Sequence, residues 1–257
     1  MIYLFLRKIS KETSGNQGFL KQFWSDHSND MLPKVTTQLP VYNERHVVER
    51  LIKAVVNIDY PKELHEIQVL DDSNDETRDI VSTLVNKYSA RGFNIKHIVR
   101  DNRDGFKAGA LNLGMEKAEG EFLAIFDADF VPDKDFLYDT IPFFYERPKV
   151  AIVQTRWGHI NRNYSLLTIA QSIGMDGHFI IEQGARTWNG LYMNFNGTAG
   201  VWRREAIIDS GGWHFDTLTE DLDLSYRAQL KGWSTKFLFD VVAPSELPVD
   251  INAYKSQ

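Results

Sequence analysis

The sequence contains no cysteine, which removes disulfides, thiolate nucleophiles and sulfur-ligated structural zinc and permits a reducing compartment. No apolar run approaches the ~20 residues that cross a bilayer. No dense Lys/Arg stripe occurs, and the formal net charge of −6 disfavours a surface that tracks phosphate backbones, so nucleic acid is not among the expected partners. Neither G-x-x-x-x-G-K-[ST] nor G-x-G-x-x-G is present, which disfavours ATPase and dinucleotide readings. His159, His178 and His214 lack the spacing of a metal-ligand set and read as structural histidines. Repeats and low-complexity segments are absent as well. What remains is 257 residues, 43% of them hydrophobic, enough to bury one large core in one compact domain.

From Lys34 onward, short apolar or β-branched runs alternate with helical patterns. Val35 to Leu39, Ile67 to Leu70, Ile95 to Val99, Phe122 to Phe126 and Val150 to Gln154 read as strands. Between them, Val47, Val48, Leu51, Ile52, Val55 and Val56 form one apolar helix face, and further helices are predicted over Thr77 to Tyr88, Ala108 to Lys117 and Phe136 to Tyr145. Such alternation predicts an α/β fold, a mostly parallel central sheet with helices on both faces. Later, Leu166 to Glu182 reads as a helix, Gly184 to Gly200 as loop with short strands, Leu222 to Lys231 as the last helix and Thr235 to Phe239 as a strand. The chain after about Asp240 shows little to fix it.

Acids gather where predicted strands end. Phe122 to Phe126 runs into Asp127-Ala128-Asp129, and Leu70 is followed by Asp71-Asp72-Ser73, so neighbouring parallel strands would present carboxylates at one sheet edge, where open α/β folds bind ligands. Two such acids suit Mg2+ or Mn2+, hard cations that keep positions for water and substrate phosphates. Helix capping by Asp129 or Asp133, and by Ser73 or Asp75, is the competing structural reading. Asp72 is an acceptor suited to a uracil imide or a guanine amino edge. Pro40-Val41-Tyr42-Asn43-Glu44 turns the chain and offers an aromatic wall, while Lys107 in Gly105-Phe106-Lys107-Ala108-Gly109 stands beside flexible backbone at a helix start, a diphosphate-friendly combination. Thr219-Glu220-Asp221 has the composition of a capped helix start or of a general base beside a metal-bound donor. Among the tryptophans, Trp157 is the foremost candidate sugar platform because it follows a strand end.

Taken in order, these segments resemble the processive family-2 glycosyltransferases with the GT-A fold, specifically the cellulose-synthase-like group that makes β-mannan and glucan backbones. The resemblance rests on Pro40 to Glu44, Val69 to Ser73, Lys107 to Leu111, Phe126 to Phe130, Val153 to Trp157, Phe195-Asn196-Gly197-Thr198-Ala199-Gly200, Gly211-Gly212-Trp213 and Glu220-Asp221, and spans about Val35 to Gln257. It implies a GT-A domain over 34–257 behind a juxtamembrane-like segment 1–33, whose apolar start and Arg7, Lys8 and Lys11 have the pattern of a membrane helix's end. It implies that Pro40, Tyr42, Glu44 and Asp72 hold the nucleoside, Lys107 the donor, and Asp127 and Asp129 the ribose or sugar and a metal-bound diphosphate. Asp221 is the implied base. Gly197, Thr198, Glu220, Trp157 and Gln257 fall to the acceptor side. The implied reaction is inverting transfer of a hexose from a UDP- or GDP-linked sugar, UDP-glucose being the expectation and GDP-mannose the alternative, to a growing β-glycan.

One departure stands out: the family continues with Q-x-x-R-W, and here Gln257 matches its first position with no Arg or Trp following. The sequence therefore reads as a truncated catalytic domain, soluble by itself, whose parent sits on the cytoplasmic face of a membrane through segments outside this chain. Two other classes compete. Asp127-Ala128-Asp129-Phe130-Val131 fits the nucleophile motif of haloacid-dehalogenase phosphohydrolases, but that motif belongs on a first strand. A non-catalytic nucleotide- or glycan-binding domain on the same fold is the other reading.

Overall fold

The computed structural model describes residues 1–27, 32–100, 102–217 and 219–256. Strands β1 (Val35–Val41), β2 (His65–Asp71), β3 (Asn94–Val99), β4 (Phe122–Ile125), β5 (Val150–His159), β6 (Gly200–Arg203) and β7 (Ser234–Ser245) make one seven-stranded sheet in the order β3-β2-β1-β4-β6-β5-β7. Only β6 runs against the others: it pairs antiparallel with both β4 and β5, while β1, β2, β3 and β4 pair in parallel, as do β5 and β7. The sheet is thus mostly parallel, as predicted, and mixed at one position.

The helices are α1 (Ile2–Asp26), α2 (Val48–Val56), α3 (Thr77–Ser89), α4 (Phe106–Lys117), α5 (Phe136–Thr140), α6 (Phe143–Glu146), α7 (Leu166–Asp176), α8 (Gln183–Thr187), α9 (Arg204–Asp209), α10 (Glu220–Leu230) and α11 (Ile251–Ser256). Helix layers cover both faces, so β2 and β4 are buried along their whole length, the condition under which parallel strands read as continuous apolar runs. Strand periodicity divides β4 between two cores. Phe122 and Ala124 join Leu51 and Val55 of α2 on one side, and Leu123 and Ile125 join Leu111 of α4 and Trp202 on the other.

Two expectations are corrected here. The helix predicted over Phe136 to Tyr145 is two short helices, because Pro142 has no N–H to donate and caps α6 instead. Within the segment read as juxtamembrane-like, α1 packs on the rest of the chain: Phe5 stacks on Trp188 at 5.3 Å and Phe19 meets Phe143 tilted at 5.1 Å. No helix among the described residues is long and apolar enough to cross a membrane. Finally, the chain after Asp240 is held. β7 continues to Ser245, paired from Arg156↔Val242 to His159↔Ser245 after a register shift, and the Asn161 side chain both donates to and accepts from the Leu247 backbone at 2.8 Å.

Candidate active site

The direction of β6 brings the site together. Because it runs antiparallel, its leading residues Gly197, Thr198 and Ala199 lie at the same edge as the ends of β1, β2 and β4. Ala199 donates its backbone N–H to the Ile125 carbonyl at 2.8 Å, and Thr198 Oγ1 accepts the backbone N–H of Asp127, also at 2.8 Å. At the neighbouring edge, Asn43 takes a left-handed backbone (φ 57), a conformation asparagine tolerates better than most residues. Its side chain and backbone bond Asn74 and Ser73 across the gap between the β1 and β2 loops.

These loops enclose a cleft of about 330 Å³, and Pro40, Tyr42, Glu44, Asp72, Lys107, Asp127 and Asp129, every residue predicted for donor or metal, line it. Lys107 enters from the first turn of α4 and donates to Asp127 Oδ1. Burial opposes its charge, but the Asp127 carboxylate outweighs that and holds its pKa above the usual lysine value. No described side chain donates to the Asp129 carboxylate. Burial, then the charges of Asp127 and Glu44, push its pKa up to about 7. Glu44 is raised too, by burial first and then by Asp127 and Asp75.

Crowded carboxylates with one lysine among them suit a divalent cation, which relieves their repulsion. Among the described residues no group of three or more His, Asp or Glu side chains could hold the ion without help. The donor set therefore fits a cation held by Asp129 and Asp127 on the protein side and completed by diphosphate oxygens and water.

Asp221 lines a second cavity of about 240 Å³, together with His178, Phe179, Asn194, Asn196 and Leu222. Gly197 lies between a residue of each cavity. A methyl group on Gly197 would lie 3.2 Å from Asp221 Oδ2 and 3.5 Å from Lys107 Nζ, and the backbone there is left-handed (φ 74), so space and conformation both call for glycine. Asp221 sits in the first turn of α10 and accepts the Leu222 N–H at 2.8 Å, whereas Thr219 makes no side-chain cap. Burial, then the charge of Glu220, raise its pKa.

A family model, "Glycosyl transferase family 2", matches residues 38–210, which include every residue of the first cleft and Gly197. The chain belongs to glycosyl transferase family 2. It is 42% identical over 233 residues to glucomannan 4-beta-mannosyltransferase 9 of Arabidopsis thaliana, covering 89% of this chain and 44% of that protein. It is 45% identical over 229 residues to glucomannan 4-beta-mannosyltransferase 1 of Cyamopsis tetragonoloba, again 44% of its length. The chain thus spans less than half of these curated relatives. Among solved structures, mannosyltransferase PcManGT from Pyrobaculum calidifontis, in complex with GDP-Man and Mn2+, superposes with a TM-score of 0.68 at 21% identity over 97% of this chain and 69% of that one. S. aureus TarS 1-349 in complex with UDP-GlcNAc gives 0.63 at 19% identity, over 87% of this chain and 61% of that one. Both share the GT-A fold.

Within this family-2 domain, other predicted positions take different places. Trp157 lines neither cavity: Phe179 stacks on it at 3.9 Å and Phe130 meets it edge-on at 5.1 Å, so the aromatic surface facing Asp221 belongs to Phe179. Thr198 is buried and orients the Asp127 backbone. Glu220 acts on Asp221 and Lys107 through its charge. Gln257 lies outside the described residues. Sequence reasoning missed Phe179, which a π-helical stretch, Gly177–Glu182, carries between α7 and α8; such stretches are frequent at functional sites. It also missed Arg100, whose Nε donates to Asp72 Oδ1 at 2.6 Å and whose Nη2 pairs with Oδ2. Two arginines three positions apart directly after a strand end were the available signal.

Proposed function

We propose that this domain transfers mannose, with inversion, from GDP-mannose to the end of a β-glycan. The observation that carries the reading is the junction at Gly197, where a donor-type cleft and a carboxylate of raised pKa come within reach of each other. In this reading Tyr42, Glu44 and Asp72 hold the nucleoside, and Lys107 neutralises the diphosphate. Asp127 and Asp129 hold Mn2+ or Mg2+, which supplies charge stabilisation for the departing nucleoside diphosphate. Asp221 accepts the proton of the acceptor hydroxyl as that oxygen attacks the anomeric carbon. A carboxylate with a raised pKa is the better base for that step.

The acceptor sugar stacks on Phe179, with Asn194, Asn196 and His178 around its polar edge. Asn194 Oδ1 and Asn196 Nδ2 are buried and without a partner among the described residues, as groups awaiting a ligand are. The expectation of UDP-glucose gives way to GDP-mannose because the curated relatives are glucomannan 4-beta-mannosyltransferases. The cytoplasmic membrane face remains part of the same proposal. Isothermal titration with GDP-mannose, GDP-glucose, UDP-glucose and UDP-GlcNAc in the presence of Mn2+ tests the donor. Tightest binding of GDP-mannose is expected, and preference for either UDP sugar would overturn it.

A further inference from the structure

The cleft holds one cation that the reading above leaves unused. Arg103 lines its wall and is exposed; its backbone carbonyl accepts the Phe106 N–H at 3.0 Å, but its guanidinium makes no hydrogen bond or ion pair with any described residue. What holds it is an aromatic ring: its guanidinium carbon lies 3.4 Å from the centroid of Tyr42 and 5.1 Å from that of Phe106. Its neighbour explains why it is unpaired. Arg100 takes both oxygens of Asp72 and donates in addition to the carbonyls of Asp104 and Phe106 at 2.8 Å. That clamp joins Arg100 to the residue after β2, and three positions on, Arg103 lies over the Tyr42 ring.

We infer that Arg103 is a specificity-determining residue that stacks on the donor's nucleobase and favours guanine over uracil. The partner each cation engages separates this role from a phosphate contact. Lys107 is engaged with Asp127, the candidate metal carboxylate, whereas Arg103 is engaged with the Tyr42 ring instead. One face of Tyr42 is already covered by the guanidinium, so a base entering there meets the arginine plane. A guanidinium stacks on nucleobases as it does on aromatic rings. The larger purine offers the guanidinium more stacking area than a pyrimidine does.

The inference rests on the GDP-mannose reading, and one experiment separates the two. Dissociation constants for GDP and UDP with Mn2+ are measured for the wild-type protein, Arg103→Ala and Arg103→Lys. Wild type is expected to prefer GDP. Arg103→Ala should weaken GDP by about tenfold and UDP by a threefold factor or less (roughly), collapsing the preference. Arg103→Lys should behave like the alanine variant, because an ammonium group has no plane to stack on a ring. Wild-type protein that binds UDP as tightly as GDP would sink the donor reading itself. Preference for GDP that survives in Arg103→Ala, or equal losses for both nucleotides restored by lysine, would leave the donor reading standing and overturn the role of Arg103.

Discussion

At the scale of single residues, the site divides its labour among carboxylates that differ in surroundings more than in chemistry. Asp129, crowded by Asp127 and Glu44, is a group that a cation would stabilise; Asp129→Ala is expected to lower affinity for Mn2+-loaded GDP by about 100-fold, read by titration with and without the metal. Gly197→Ala places a methyl 3.2 Å from Asp221 Oδ2 at a left-handed backbone position. Transfer should then fall more than GDP binding does, since the disturbance lies where base and donor meet, and kinetics beside titration would show it. A separate residue governs acid stability. His65, buried on β2 against Thr37 Oγ1 at 2.8 Å, has its pKa pushed down to about 4 by burial. The unfolded chain takes up that proton near pH 6.5 and the folded one does not, so stability falls as pH drops from about 6.5 to 4, by on the order of 3 kcal/mol. Denaturant melts of His65→Gln should show that acid-dependent loss reduced.

At the scale of elements, period and punctuation made most strands and helices readable. The apolar stripe from Val48 to Val56 forms α2 with the predicted buried face, and Asp72 and Asp127, which follow β2 and β4, line the cleft at the edge the sequence marks with acids. What escaped depended on pairing across long sequence distances. β6 is four residues long, too short for a pattern, and nothing local dictates its antiparallel direction, although that direction brings Gly197 and Thr198 to Asp127. β7 was cut short at Phe239 because the register shift opposite Thr155 and Arg156 interrupts its alternation. The same pairing produces a testable consequence: Leu247, just past β7, is only 2% exposed. Leu247→Ala should destabilise the fold by about 2–5 kcal/mol, measured by urea unfolding; a loss under about 0.5 kcal/mol would mean the carboxyl-terminal stretch is not part of the core.

At the scale of the whole molecule, the mixed sheet joins two half-sites. β1, β2 and β4 end at the cleft that the proposal assigns to the nucleotide, while Gly197, just before β6, and Asp221 of α10 form the junction it assigns to the base, and Phe179 stacks on Trp157. The partners of Arg103 and Phe179 are not legible in the sequence for the same reason: each stacks on a residue many positions away, Tyr42 and Trp157. The central claim is that donor binding and proton acceptance belong to different carboxylates of one continuous site. It is tested most directly by measuring, for Asp221→Asn, both the dissociation constant of GDP-mannose with Mn2+ and the rate of mannosyl transfer to a β-manno-oligosaccharide. Affinity within about twofold of wild type, with transfer reduced by about 10²–10⁴-fold, is the predicted result. Transfer that survives the substitution, or affinity that falls in step with it, would contradict the assignment.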